Sequence, residues 1–353
     1  MTSARISLVP GDGVGPEVVD QAVKVLRSLE QRPGELFEFE VEPINAGSYA
    51  ASGLGITDSS WARLQVAQAI LLGAIGDPSV ADADYARSVL LRLRFELDLY
   101  VNLRPCRLLH DRLSPLRDPR RRQVDLLIVR ENTEGAYAGL GGRLRADTPQ
   151  EVAIEEDVNT YMGVRRLLGY AWDAAQARHR RLAVVDKANA LGHSGALWRR
   201  VADEHRRVRP ETEFRALYVD ACAMEMVRDP GQFDVIATNN MFGDILSDLG
   251  AQLIGGMGMA PSANINPVSG AALFEPVHGS APDIAGRGRA NPFGAILSAS
   301  LLLRHLKLEQ LAAVVDRAVA GAIDKGECTV DLGGKLSTEQ TGDAVALRVR
   351  REL

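Results

Sequence analysis

The sequence predicts an α/β protein with a largely parallel central sheet. Short apolar runs rich in β-branched residues recur along the chain, and amphipathic helical patterns separate them. Charged or amide residues directly follow several of these runs, as expected for parallel strands whose carboxyl ends face a ligand. A length of 353 residues favours about two domains.

Six apolar runs have the length and composition of strands. They are ARISLVP (4–10), AILLGAI (69–75), VDLLIVR (124–130), RLAVVD (181–186), EFRALYV (213–219) and FDVIATN (233–239). The helical patterns between them include PEVVDQAVKVLRSL (16–29), DYARSVLLRLRFEL (84–97), VNTYMGVRRLLGYAWDAAQ (158–176) and GALWRRVADEHRR (195–207). This alternation predicts parallel strands joined by helical crossovers.

One segment interrupts the alternation. Residues 135–157, GAYAGLGGRLRADTPQEVAIEED, are rich in glycine and then strand-like, with no obvious core to join. Such a segment suits an arm that pairs with another subunit, because an isolated strand leaves its backbone groups unpaired. The segment therefore predicts a dimer with an arm at 135–157.

The composition indicates a soluble globular protein that binds neither membrane nor nucleic acid. It is 46% hydrophobic and 25% charged, with a net charge of −5. The basic runs at 117–122 and 178–181 lack interleaved aromatic residues, so we interpret them as solvated loops. No signal peptide or membrane span is apparent, and Cys106, Cys222 and Cys328 are too widely spaced for a disulfide framework. A reducing cytoplasm is expected.

Three carboxylates form a candidate metal site. Asp220 follows a predicted strand, whereas Asp244 and Asp248 lie four positions apart in the helical pattern FGDILSDLG (242–250). Residues at this spacing share a helix face, so the two carboxylates repel each other unless a cation lies between them. Three carboxylates suit Mg²⁺ or Mn²⁺. The pair alone would also fit a solvated acidic edge of the helix.

Basic residues at strand ends and on a helix complete this set. Lys187 follows the strand at 181–186 and is one of five lysines among 41 basic residues. A lysine can lose its proton and act as a base, which an arginine cannot do. An ordinary surface lysine is the alternative for Lys187. Arg94, Arg104 and Arg130 could grip carboxylates through paired hydrogen bonds. Beside a metal, three arginines describe a pocket for a dicarboxylic acid.

Two glycine-containing segments are candidates for nucleotide binding. GDGVGPE (11–17) lacks the third glycine of the dinucleotide fingerprint, so we interpret it as a tight turn with Pro16 at the start of a helix. The better candidate is FEPVHGSAPDIAGRGRANP (274–292), whose backbone amides could approach phosphates. Asp283 in this segment could accept hydrogen bonds from a ribose diol. A turn-rich structural loop is the alternative.

With these residues collected, the chain resembles the β-decarboxylating dehydrogenases, which include the isocitrate, isopropylmalate, homoisocitrate, and tartrate or D-malate enzymes. The resemblance runs from GDGVGPE to the C-terminal region. Its most specific parts are LLGAIGDPSV, LLRLRFELDLYVNLRP, FDVIATNNMFGDILSDL and FEPVHGSAPDIAG. The first two of these look most like the actinobacterial isopropylmalate members of the family.

The resemblance implies a two-domain fold that is distinct from the Rossmann fold. Residues 1–100 together with 255–353 would form a discontinuous nucleotide-binding domain, and 101–254 would form the substrate, metal and dimerisation domain. It also implies a homodimer with shared active sites, or a higher oligomer, that acts on a small 2-hydroxy dicarboxylate.

The resemblance assigns roles to matching residues. Arg94, Arg104 and Arg130 would bind the malate carboxylates, and Asp220, also a substrate contact, would hold Mg²⁺ or Mn²⁺ together with Asp244 and Asp248. The cofactor contacts would be Asn189, His278, Gly279, Ser280, Ala281, Pro282, Asp283, Ile284 and Asn291.

Two further residues would carry the proton transfers that the resemblance implies. Lys187, reaching over from the partner subunit, would help to remove the proton of the C2 hydroxyl. Tyr137 would help to protonate the enolate that remains after decarboxylation.

The implied activity is NAD-dependent oxidative decarboxylation of a (2R)-malate derivative. Asp283 favours NAD⁺ because it would repel a 2′-phosphate. Leu90 and Leu91 would bury an isopropyl group but leave a third carboxylate unpaired, so 3-isopropylmalate is expected ahead of isocitrate and homoisocitrate. The product would then be 4-methyl-2-oxopentanoate, a precursor of leucine.

Three departures from the isopropylmalate pattern keep other substrates open. RENTEG (130–135) is more similar to the tartrate, D-malate and isocitrate members, and VDKANAL (185–191) differs from the usual lysine segment of the isopropylmalate enzymes. Arg87 stands where isopropylmalate enzymes often have an acid. Tartrate, D-malate or another 3-substituted malate is therefore the alternative substrate. A non-catalytic subunit that keeps the fold is a further alternative.

Overall fold

The computed structural model describes residues 3–32, 34–82 and 85–353. The chain divides into two compact units. Unit 1 comprises Met1–Leu99, Leu108–Arg117 and Ala251–Leu353, and unit 2 comprises Tyr100–Arg107 and Asp118–Gly250.

The elements of the described chain follow the predicted alternation of strand and helix. The strands are β1 (Ala4–Gly11), β2 (Phe37–Val41), β3 (Ala69–Ala74), β4 (Val101–Arg107), β5 (Asp125–Glu131), β6 (Gly141–Leu144), β7 (Val152–Glu155), β8 (Arg181–Asp186), β9 (Glu213–Tyr218), β10 (Val235–Thr238), β11 (Pro261–Ile265) and β12 (Ala272–Pro276). The helices are α1 (Gly15–Ser28), α2 (Ala46–Ser52), α3 (Asp58–Val66), α4 (Tyr85–Glu96), α5 (Tyr161–Gln176), α6 (Gly192–Val208), α7 (Val219–Arg228), α8 (Asn240–Leu253), α9 (Phe293–His305), α10 (Glu309–Asp324) and α11 (Thr338–Glu352).

The six strands and four helices predicted from the apolar pattern are all present, with ends that differ by a few residues. The predicted first residue of α4, Asp84, lies outside the described residues. The mixed α/β class with a mostly parallel sheet is confirmed.

The sheet of unit 1 has the strand order β2-β1-β3-β12-β11. Its strands pair in parallel except for β11 and β12, which form an antiparallel pair. Every residue of β3 is buried, because helices cover both faces of a parallel sheet. The helix α1 begins after a three-residue turn (12–14) that follows β1, and it packs against α9 and α11. Pro16 occupies the start of α1, as the sequence predicted.

The sheet of unit 2 has the strand order β4-β5-β10-β8-β9. The pair of β4 and β5 is antiparallel, whereas β5, β10, β8 and β9 pair in parallel. The carboxyl ends of β5, β8 and β10 therefore lie at one edge of the sheet. The helix α5 covers this sheet with a fully buried face that includes Leu168 and Trp172.

The predicted arm forms a separate two-stranded antiparallel sheet of β6 and β7. Every residue of both strands is exposed, including the apolar side chains of Leu144 and Ile154. A lone hairpin buries too little apolar surface to be stable by itself. Among the residues that the structure describes, no helix combines the length and the apolar character needed to cross a membrane.

A close approach between α1 and the sheet of unit 1 depends on Gly73. A Cβ atom added to Gly73 of β3 would lie 2.4 Å from the carbonyl oxygen of Pro10 and 2.8 Å from the Cα of Gly15. Both neighbours are backbone atoms, so no side chain can move to make room.

We expect Gly73→Ala to lower the free energy of unfolding by about 1–3 kcal/mol, the usual cost of overpacking a core. Gly169→Ala is the control, since a Cβ there would meet only His205 Cε1 at 3.5 Å in the interior of α5. Thermal or denaturant unfolding measures both. Equal midpoints for the two variants would contradict the packing explanation.

Candidate active site

The carboxyl end of β5 places a buried arginine beside the acidic face of α8. Arg130 is 1% exposed, and its guanidinium donates to Asn240 Oδ1 at 3.0 and 2.6 Å and to Asp244 Oδ1. Tyr137 donates its hydroxyl proton to the other carboxylate oxygen of Asp244 at 2.8 Å. Gly243 permits the approach of Arg130 to α8, because a Cβ at Gly243 would lie 2.5 Å from Arg130 Cγ.

A second buried arginine lies near both acidic residues of α8. Arg104 on β4 is 6% exposed, and its guanidinium nitrogens lie 4.0 Å from carboxylate oxygens of Asp244 and of Asp248. It also donates to Asn102 Oδ1 at 2.9 Å and to Ser247 Oγ at 3.3 Å. These bonds fix its orientation along the edge of the sheet.

The two carboxylates of α8 differ in how easily they ionise. Burial raises the pKa of Asp244, but the charges of Arg130 and Arg104 and the hydrogen bond from Tyr137 outweigh burial and hold this pKa below its usual value. Burial and the charge of Asp244 instead raise the pKa of Asp248, and the two arginines only partly offset them. Further positive charge near Asp248 would favour its ionised form.

Lys187 and Asp220 form a separate pair in unit 2. Lys187 follows β8, Asp220 lies in the first turn of α7, and the Lys187 ammonium is 2.8 Å from Asp220 Oδ1. The hydrogen bond from Lys187 lowers the pKa of Asp220. The ammonium also lies 6.0 Å from the centroid of the Tyr218 ring. Asn189, two residues after Lys187, is exposed.

The candidate metal ligands are therefore divided within one chain. Asp244 and Asp248 lie with Arg104, Arg130 and Tyr137, whereas Asp220 lies with Lys187. Over residues 3–32, 34–82 and 85–353, no three or more His, Cys, Asp or Glu side chains form a group that could hold a metal ion. The carboxylate pair on α8 has the hard oxygen atoms that Mg²⁺ or Mn²⁺ prefers, and no third protein ligand joins it among the residues that the structure describes.

In unit 1, α4 carries three of the predicted substrate residues. Leu90 and Leu91 are partly buried, and Leu90 packs against the apolar core. Arg94 lies one turn further along and is 3.6 Å from Glu275 Oε1 on β12. Glu275 is buried and also accepts a hydrogen bond from Asn264 at 2.8 Å.

The predicted cofactor loop follows β12. His278 Nδ1 is 2.9 Å from the carbonyl oxygen of Gly279, and burial lowers the pKa of this histidine. The neutral ring therefore donates from Nδ1, which leaves Nε2 as an acceptor. That atom is buried and has no hydrogen-bond partner in the described part of the chain. A buried acceptor without a partner fits a loop that receives a polar ligand.

The other residues of this loop differ in their surroundings. Ala281 has a φ of +40°, a left-handed conformation that is costly for a residue with a Cβ atom. Pro282 and Asp283 are exposed, and Ile284 is partly buried. Asn291 is buried, donates to Asp331 at 2.9 Å and accepts from the backbone amide of Phe293 at 3.0 Å, so its amide group holds the start of α9.

Two residues with clear structural roles at these sites were not among the predicted contacts. Asn240 is fully buried between Arg130 and the backbone carbonyl of Glu134, and Glu275 pairs with Arg94. The sequence offered a signal for each. Asn240 directly follows a predicted strand end, and Glu275 is a single acid next to the apolar run AALF. A cavity of about 640 Å³ in unit 1 is lined by none of the predicted site residues.

Comparison with known proteins gave a consistent result. The family model described as isocitrate/isopropylmalate dehydrogenase matches residues 5–345. The 3-isopropylmalate dehydrogenase of Leifsonia xyli is 47% identical over 351 residues, which cover 98% of each chain. That of Thermobifida fusca is 45% identical over 352 residues, which cover 99% of each chain.

Solved structures agree with these relatives. The isocitrate dehydrogenase of Methylococcus capsulatus superimposes with a TM-score of 0.89 at 37% identity, covering 98% of this chain and 99% of that one. The β-decarboxylating dehydrogenase of Thermococcus kodakarensis has a TM-score of 0.81 at 36% identity, covering 99% and 96%.

We expect Asp244→Asn to weaken Mn²⁺ binding by about tenfold or more, because the variant loses one anionic ligand while the side chain keeps its shape. Isothermal titration in metal-free buffer measures the affinity. Asp229→Asn is the matched control, since Asp229 is a half-exposed acid of unit 2 that pairs with Arg121 at 3.0 Å. Equal Mn²⁺ affinities in the two variants would refute the assignment of Asp244.

Proposed function

Because this chain belongs to the isocitrate/isopropylmalate dehydrogenase family, we propose that it oxidises and decarboxylates 3-isopropylmalate to 4-methyl-2-oxopentanoate with NAD⁺. The reaction would serve leucine biosynthesis in the cytoplasm. The observation that carries the proposal is the group of Arg104, Arg130, Tyr137 and Asp244 at the carboxyl edge of unit 2, where carboxylate binding and proton transfer can occur together.

The buried arginines would bind the substrate. Arg104 and Arg130 are held by Asn102 and Asn240, so little side-chain freedom is lost when they receive a carboxylate. Arg94 on α4 would bind a carboxylate of the same acid. Its ion pair with Glu275 keeps this guanidinium ordered before the substrate arrives.

The proton transfers are assigned to Lys187 and Tyr137. Lys187, as the neutral amine, would take up the proton of the C2 hydroxyl as hydride leaves C2, and Asp220 at 2.8 Å orients that amine. Tyr137 would give a proton to C3 after carbon dioxide has left. Asp244, which accepts the hydrogen bond of Tyr137, orients that hydroxyl. Arg130 lies 5.3 Å from the Tyr137 ring and adds positive charge beside it.

Asp244 and Asp248, completed by Asp220, would hold Mg²⁺ or Mn²⁺. When bound, the metal would polarise the C2 oxygen, and NAD⁺ would accept the hydride. The raised pKa of Asp248 beside Asp244 supports this assignment, since a divalent cation would relieve the repulsion between the two carboxylates. The unpaired Nε2 of His278 and the exposed carboxylate of Asp283 support the loop after β12 as the NAD⁺ site.

The division of the metal ligands supports a homodimer with shared active sites. Asp220 and Lys187 lie apart from Asp244 and Asp248 in one chain, so a second copy would have to supply one of the two pairs. The exposed apolar residues of unit 2 are the surface expected at such an interface. They include Leu144 at 59% exposure on the arm, Met224 at 71% on α7 and Ile245 at 57% on α8.

The experiment is a substrate panel read as NADH or NADPH formation with Mg²⁺. We expect the highest kcat/KM for (2R,3S)-3-isopropylmalate with NAD⁺, ahead of D-malate, tartrate and D-isocitrate, and little activity with NADP⁺ because of Asp283. Faster turnover of D-malate or tartrate would favour the alternative substrates. Silence on all four acids would favour a non-catalytic subunit.

The Leu90→Ala variant tests whether Leu90 contacts the group on C3 of the substrate. The substitution removes methyl contacts to the isopropyl group, so we expect about tenfold lower kcat/KM for 3-isopropylmalate with little change for D-malate. Leu347→Ala, an exposed leucine on α11 of unit 1, is the control. Equal losses on both substrates would show that Leu90 does not contact the group on C3.

A further inference from the structure

A buried carboxylate at the end of β1 gathers three chain segments of unit 1. Asp12 is 6% exposed, and its Oδ1 accepts the backbone amide of Ala46 at 2.7 Å. Its Oδ2 accepts the backbone amide of Gly76 at 2.8 Å and the hydroxyl of Tyr85 at 3.0 Å. The three donors belong to the start of α2, the loop after β3 and the start of α4.

The three donors are neutral amide and hydroxyl groups, so they hold the buried carboxyl group through hydrogen bonds and not through ion pairs. A buried charge is costly to desolvate, and hydrogen bonds to an ionised acceptor are about twice as strong as neutral ones. The arrangement therefore fixes its donors more firmly than an amide or hydroxyl at this position could. Tyr85 is 2% exposed, and burial together with Asp12 raises the pKa of its phenol, so it stays a donor.

The segments that Asp12 holds border both predicted ligand sites of unit 1. Tyr85 is the first residue of α4, the helix that carries Leu90, Leu91 and Arg94. Gly76 lies between this helix and the cofactor loop, since a Cβ there would be 3.7 Å from the Cβ of Ala86 and 3.8 Å from the Oγ of Ser280.

The turn that contains Asp12 also contacts the cofactor loop directly. The backbone amide of Val14 donates to the carbonyl oxygen of Ser280 at 2.8 Å, and a Cβ on Gly13 would lie 1.9 Å from that same oxygen. Glu17 accepts the backbone amide of Gly286 further along the loop. The segment GDGVGPE thus forms the support on which the cofactor loop rests.

We propose that Asp12 is a positioning residue that keeps α4 and the cofactor loop in fixed positions relative to each other. It holds α4 through Tyr85, and it holds the cofactor loop through Gly76 and the turn at 13–14. The inference rests on the proposed function, because it takes the substrate and NAD⁺ sites from there. Asp12 is not among the residues predicted to contact either ligand. Its role is to keep the substrate helix and the cofactor loop at the spacing that hydride transfer needs, which must be accurate to a fraction of an ångström.

Substitutions can test the hydrogen bond from Tyr85 separately from the hydrogen bonds of the two backbone amides. Tyr85→Phe removes only the bond to α4, whereas Asp12→Asn turns an amide donor toward at least one of the two backbone amides that Asp12 now accepts. We expect Tyr85→Phe to raise the KM for 3-isopropylmalate by about three- to tenfold and to leave the NADH dissociation constant within about twofold of wild type. Asp12→Asn should raise both quantities by about fivefold or more.

The control is Asp316→Asn. Asp316 accepts hydrogen bonds from Ser300 and Arg304 in unit 1, so this variant also loses a structural carboxylate, but none of these residues adjoins the predicted ligand residues. We expect a lower Tm for Asp316→Asn with NADH binding and KM near wild type.

NADH affinity is read by fluorescence titration of the full-length protein, KM by initial rates, and folding by Tm. The inference is overturned if Asp12→Asn and Tyr85→Phe lower the Tm but leave NADH affinity and KM unchanged, as Asp316→Asn is expected to do. If Asp12→Asn does not fold, Tyr85→Phe decides the test. A raised KM with an unchanged NADH affinity in that variant supports the proposal, and an unchanged KM contradicts it. If wild type binds NADH but does not oxidise 3-isopropylmalate, the proposed function fails, and the NADH affinity of Asp12→Asn still decides the role of Asp12.

Discussion

The repulsion between Asp244 and Asp248 is the constraint on which the rest of the candidate site depends. Two carboxylates one turn apart on α8 cannot both ionise cheaply in a half-buried setting without positive charge beside them. Arg130 and Arg104 supply that charge within the chain, and they stabilise Asp244 far more than Asp248. The negative charge that remains on this face of α8 is the reason that we propose a divalent cation there.

The position of the third carboxylate, Asp220, is the reason that we propose an active site shared by two copies of the chain. In one chain Asp220 holds the lysine that we assign as the base, and Asp244 holds the tyrosine that we assign as the acid. Each pair is internally complete, with a hydrogen bond that orients the reactive group. The base Lys187 and the acid Tyr137 lie on separate elements. They would meet only where a Lys187–Asp220 pair faces a Tyr137–Asp244 pair. Dimerisation would then assemble the active site and would also cover the exposed arm.

Several residues of the candidate site could be selected from the sequence because they stand at strand ends. Arg130 ends one apolar run and Lys187 directly follows another, which is where a parallel sheet presents ligands. The strands β4 and β11 were missed for physical reasons. Pro105 interrupts the first, and the buried polar side chains of Ser262 and Asn264 remove the apolar pattern from the second.

Two further features could not be predicted from the spacing of residues along the sequence. The separation of Asp220 from Asp244 and Asp248 depends on the position of β9 in the sheet and on the position of α7, which follows β9. The apolar pattern specifies neither. The role of Asp12 depends on three donors 34, 64 and 73 residues away. Only the folded chain brings these partners together. The segment GDGVGPE was correctly interpreted as a tight turn, but its support of the cofactor loop was not foreseen.

Subunit complementation tests the central claim most directly. Lys187→Met and Asp244→Asn should each form inactive homodimers, and a mixed dimer should contain one site with both defects and one intact site. Dissociating and reassociating equal amounts should therefore restore about a quarter of wild-type activity, because about half of the dimers are mixed and each has one working site. If mixing restores no activity although size-exclusion and mass analysis show mixed dimers, the two pairs act within one chain and the account is wrong.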